Sequence, residues 1–136
     1  MQKIMIPSNY HVVADYKDIL NGTLGATTGT RDVVALKSDG KWDPAVRTTA
    51  SDAKGLLGIT LKSGNDTDLV PIALKAVLAN SSWSFTRGAP QFLHSVAGDF
   101  TATEPSGSGD YVRVVGWALN LTTLLFDGLQ SWREVP

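Results

Sequence analysis

The chain has 136 residues, with twelve basic and thirteen acidic side chains, a formal net charge of −1 and no cysteine. The missing cysteines exclude disulfides, thiolate nucleophiles and Cys-ligated metals together, and without a Lys/Arg cluster there is no electrostatic footprint for nucleic acid or an anionic membrane. The length predicts one domain, and 18% charged residues with thirteen glycines and many Ser and Thr predict a mainly β class, since those residues sit poorly in helix interiors.

Residues 1–30 show no strong period. Ile4, Ile6, Tyr10, Val12 and Val13 suit a short extended segment, and Tyr16, Ile19 and Leu20, at i, i+3, i+4, suit one helical turn near residues 15–20. The first seven residues carry one lysine but lack the apolar core of a signal peptide. Residues 21–30, rich in Gly and Thr, read as loop. The segment 1–30 is therefore expected to be an N-terminal arm that packs on something else, and residues 31–136 a single β domain.

From Asp32 onward short apolar runs alternate with turn signals. Val33–Lys37 and Trp42–Val46 flank Asp39-Gly40, a pair favoured in tight hairpin turns. A polar loop through Ser51, Asp52 and Ala53 leads to a strand at Gly55–Leu61, then a turn at Gly64-Asn65-Asp66. Leu69–Leu78 reads as one long strand, because Pro71 and the alternation of Val70, Ile72 and Leu74 disfavour a helix. Trp83 and Phe85 alternate, Pro90–His94 and Phe100–Thr103 form a second hairpin around Gly98, and Tyr111–Leu119 is apolar on both faces apart from Tyr111 and Arg113. No apolar run approaches the roughly eighteen residues of a membrane-spanning helix.

Two pairs of glycines share one spacing: Gly40 to Gly98 and Gly58 to Gly116 are both 58 residues apart. The same offset pairs Val34 with Phe92, Trp42 with Phe100, Leu57 with Val115, Ile59 with Trp117, Leu61 with Leu119 and Asp52 with Asp110. In both copies the odd positions are bulky and the central even position is glycine. Such a strand predicts close backbone approach, or a bulge, behind the glycine. Either a duplication with a pseudo-twofold β arrangement or a chance self-match of a Gly-punctuated β sequence gives this pattern. Two hairpin-plus-strand units would close into a small β-barrel or a β-sandwich, which hides strand edges.

Reactive groups are sparse. His11 and His94 have no carboxylate or second histidine at ligand spacing, and no G-x-S-x-G elbow is present. Gly25–Thr30 lacks the Gly-Lys-Ser/Thr ending of a phosphate loop. No catalytic, metal or cofactor-binding residue is assigned, no cofactor is expected, and the chain is not expected to be an enzyme. Trp42, Trp83, Trp117 and Trp132 form either a sugar-stacking platform or, spread as they are through apolar runs, core and subunit-interface residues.

The run from Gly88-Ala89-Pro90-Gln91-Phe92-Leu93, through Gly98–Asp110 and Val112-Arg113-Val114-Val115-Gly116-Trp117-Ala118-Leu119, to Leu124-Leu125-Phe126 and Trp132–Val135 resembles a family. It is similar to the C-terminal module of small tailed-bacteriophage virion proteins: capsid decoration, head-fibre and some tail-associated proteins. Phe92 and Trp117 stand where tyrosine is commoner, and Asp127-Gly128 where Asn-Pro is usual. The resemblance spans about residues 55–136 and implies a non-enzymatic β module, a homotrimer bound to the major capsid protein. Its place would be the outer surface of a virion assembled in the host cytoplasm, with a tail- or fibre-associated receptor- or carbohydrate-binding module as the alternative. From the apolar runs that hold them, and from this resemblance where it applies, Trp42, Phe92, Phe100, Tyr111, Val115, Trp117, Leu119, Phe126 and Trp132 are expected in the core or at a subunit interface. Ile4, Ile6, Tyr10 and Val12 are expected to anchor the arm to the capsid by strand addition.

Overall fold

The computed structural model describes residues 18–136; the anchoring candidates Ile4, Ile6, Tyr10 and Val12, like His11, lie outside the described residues. Alternating apolar residues and Gly-containing turns give eleven short strands in two antiparallel sheets. The first sheet contains β1 (Ile19–Thr23), β2 (Val33–Leu36), β3 (Trp42–Pro44), β4 (Leu57–Thr60) and β5 (Leu69–Ala73). The second contains β6 (Lys75–Ala79), β7 (Pro90–Leu93), β8 (Phe100–Thr101), β9 (Tyr111–Ala118) and β10 (Thr123–Asp127), with β11 (Trp132–Glu134) pairing to β9. One helical turn, α1 (Ala50–Ala53), replaces the loop expected there.

The sheet orders are β1-β5-β4-β2-β3 and β6-β10-β9-β7-β8. Numbered from its own first strand, each sheet reads first, fifth, fourth, second, third. The repeat is therefore present in the topology, and its details follow the 58-residue offset. Gly40 and Gly98 both hold positive φ, 82° and 85°, in the connections of the β2–β3 and β7–β8 hairpins, where an L side chain would be strained. The Asp52 N–H donates to Thr49 O at 3.1 Å and the Asp110 N–H to Gly107 O at 3.0 Å, the same turn in each half.

The sheets pack face to face. Val33, Ala35, Leu57, Ile59 and Ala73 of the first meet Leu78, Leu93, Val115, Leu124 and Phe126 of the second in one core. This is a sandwich, not a closed barrel. The period of two sends the intervening residues of the first sheet to its other face, where Leu24, Val34, Trp42, Val70, Ile72 and Leu74 form a second buried cluster. A parallel bridge between Leu24 and Trp42 curls the sheet around that cluster, and the Gly25 N–H donates to Trp42 O at 2.9 Å. Gly58 faces this cluster, and a Cβ there would collide with Ile72.

Several expectations are corrected. Ile19 and Leu20 lie in β1, not in a helical turn, because residues 19–23 pair antiparallel with β5 from Ile19↔Ala73 to Thr23↔Leu69. Residues 19–23 of the segment expected to be an arm are thus part of the first sheet, and Leu24 is wholly buried. Leu69–Leu78 is two strands, broken at Leu74 where the chain passes from one sheet to the other. Trp83 and Phe85 lie in a loop. The odd-position rule holds in β4 but fails in β9. There the register shifts between Gln91 and Phe92, leaving Val115 unpaired. This bulge turns Val115 and Gly116 to the same side, and a Cβ at Gly116 would meet core Leu124 Cδ1 at 3.0 Å. Trp117 is displaced to the outer face.

Candidate functional site

Of the nine residues expected in the core or at an interface, Trp42, Phe92, Tyr111, Val115 and Phe126 are buried. Phe100 is half-buried against the main core. Leu119 and Trp132 are not core residues: they are 44% and 42% exposed, at a strand end and on the three-residue β11. Trp132 is instead held edge-on by Tyr111, with ring centroids 5.8 Å apart, and by Lys54, whose Nζ lies 4.6 Å above its ring.

The registers place half-buried Trp117 in a row. Val77 faces Leu125, Leu125 faces Trp117, and Trp117 faces Pro90. Since Leu78, Leu124 and Phe126 point into the core, this row lies on the outward face of the second sheet, with Val77 62% exposed. Leu119 and Leu121 add exposed apolar surface beyond it. The corresponding face of the first sheet is covered by the chain's own Leu20, Leu24 and Trp42.

Arg113, the polar exception in β9, is buried and joins three parts of the chain. Its Nη1 donates to Ala53 O at 2.8 Å and Gly55 O at 2.7 Å, and its Nη2 to Gly128 O at 2.7 Å. Burial lowers its pKa from the ordinary arginine value, and the nearby Asp127 carboxylate works in the opposite direction. Two further acids fix turns at equivalent positions. Asp52 accepts from the Val46 N–H at 3.0 Å and pairs with Lys37; Asp110 pairs with Arg47 at 3.3 Å.

A separate cleft of about 510 Å³ opens between the β1–β2 loop, the β6–β7 loop and the β7–β8 hairpin. Trp83, Phe85 and Phe100 cluster there, with ring centroids 5.2, 5.7 and 6.0 Å apart. Arg31, Asp32, Asn80, Gln91 and Asp99 line the same space. Asp32 accepts from the Gly29 N–H at 2.8 Å. Burial pushes its carboxyl above the ordinary aspartate value, the Gly29 bond opposes that, and Asp99 adds to it. Gln91 is 2% exposed, and its Nε2 is buried without a hydrogen-bond partner among the described residues. Sequence reasoning passed over Gln91, although the 58-residue offset would have singled it out. Its counterpart is Val33, a core valine.

Among the described residues no three His, Asp or Glu side chains stand together as metal ligands, and no helix is long and apolar enough to cross a membrane. Comparison with family models, with curated proteins and with solved structures finds no match to this chain.

Proposed function

We propose that this chain is a structural protein of a bacteriophage virion, a capsid decoration protein that binds the outer shell as a homotrimer and stabilises it. The observation that carries the reading is the apolar outward face of the second sheet, which is half-buried to exposed among the described residues. Its central row, Val77–Leu125–Trp117–Pro90, holds no charge and one large aromatic, and Lys75 faces Asp127 at one end. A charge-poor apolar patch with an aromatic anchor has the make-up of an interface centre. The first sheet, with the same strand order, covers its corresponding face with its own chain. A second copy supplies that cover for the second sheet, and closed symmetry then presents several identical weak contacts to the shell at once.

The purified chain should scatter light with three times its 14.5 kDa mass. Leu125→Asp, which puts a charge at the centre of the row, should give a folded species of one chain mass. A wild-type monomer at tens of micromolar would overturn self-association. Electron cryomicroscopy of shells mixed with the protein should show trimeric knobs, and bare shells would overturn the decoration reading. The aromatic cleft supports a second reading, a tail- or fibre-associated receptor-binding module, for which density would appear on the tail instead.

A further inference from the structure

We propose that the cleft lined by Trp83, Phe100, Asp32, Asp99 and Gln91 binds a neutral saccharide. The clustered rings of Trp83, Phe85 and Phe100 offer an apolar wall suited to the C–H face of a pyranose. Planar donors and acceptors from Asn80, Gln91, Asp32 and Asp99 line the same space and suit neighbouring hydroxyls, each of which both donates and accepts. The volume of about 510 Å³ lies within the usual range for small-ligand sites. Two carboxylates against the single guanidinium of Arg31 disfavour an anionic sugar or a phosphate.

Gln91 carries the inference furthest. A buried amide donor without a partner among the described residues is destabilising. The 58-residue offset sets an apolar residue, Val33, against it in the first sheet; Val33 faces Ile59 there, and Gln91 faces Gly116 in the second. Breaks of a local packing rule are expected at functional or strained sites. The non-glycine residue Arg31, at φ 66°, adds a strained backbone to the same rim. The proposal stands apart from self-association: none of Val77, Leu125, Trp117 and Pro90 lines the cleft.

The test is an amide chemical-shift titration of the full chain with glucose, galactose, N-acetylglucosamine and their disaccharides. Sialic acid and inorganic phosphate serve as anionic probes. At least one neutral sugar should shift the amides of residues 30–32, 83–86 and 99–101, with a Kd of about 1 mM, and the anions should not. Gln91→Val should melt no lower than wild type yet lose the sugar-induced shifts. Asp99→Asn, which keeps the side-chain shape, should weaken binding about tenfold. Silence from every neutral sugar, shifts confined to surfaces away from the cleft, stronger response to the anions, or unchanged affinity in both variants would overturn the proposal.

Discussion

Arg113 places a planar fork of donors between α1 and the β10–β11 turn, two segments whose carbonyls would otherwise be buried unmet. A hydrogen bond from a charged donor contributes about 1.5–3 kcal/mol, and stranded carbonyls add their own desolvation cost. Arg113→Met removes the buried charge as well, which offsets part of the loss. The net expectation is a loss of about 2–4 kcal/mol, read as a lower urea midpoint with an unchanged slope. Arg113→Lys keeps the charge but not the fork and should fall between the two. A change below about 0.5 kcal/mol in Arg113→Met would show that the three bonds are replaced by water. In the sequence Arg113 stood out only as a polar residue in an apolar strand. Its partners come from residues 53, 55 and 128, and no local pattern announces them.

At the scale of elements, the strands flanking Gly40 and Gly98 were legible because a turn glycine and period-two alternation agree there. The break at Leu74 was not, because a strand that leaves one sheet and enters another keeps its alternation through the junction. β1 was obscured by Asn21 and Gly22, poor strand formers that are held by pairing with β5. The bulge in β9 was half legible: glycine announced an irregularity, but only the register shows that it reverses Trp117. The cleft was less legible still. Trp83 and Phe85 alternate like a strand, and they meet Phe100 only through the loop that the fold gives them. The pairing of β1 reaches back to Asp18, whose carbonyl accepts from the Leu74 N–H at 2.6 Å. Removing residues 1–17 should leave the melting temperature within about 2 °C of wild type while abolishing co-sedimentation with shells. Removing residues 1–23 should lower it strongly by taking away an edge strand. Equal losses of stability and attachment on removing 1–17 would refute the anchoring role.

At the scale of the molecule, two five-stranded units of the same order share one core and differ in what they do with their outer faces. The offset of 58 residues carries Val33 of β2, Trp42 of β3 and Gly58 of β4 onto Gln91 of β7, Phe100 of β8 and Gly116 of β9, but β1 and β6 start 56 residues apart (75 − 19). The second unit has a longer first connection (β6–β7 against β1–β2) and a shorter last one (β9–β10 against β4–β5), so a fixed offset loses the outer strands and the sequence carried only the middle of the repeat. The difference between the faces has no sequence signature either, because Val77, Leu125 and Trp117 are as apolar as Ile72 and Trp42.

The single residue between β5 and β6 has a further effect on how the chain assembles. Leu74 alone tethers the two units, so the second unit of one chain can dock on the first unit of another and make every contact of the native core. Short junctions of this kind favour exchange between copies. Refolding at high protein concentration should therefore yield an entangled two-chain product that survives dilution and separates only on unfolding. Lengthening the junction after Leu74 with a flexible Gly/Ser insert should suppress it. Size-exclusion chromatography of refolded material, before and after dilution, would show the product or exclude it.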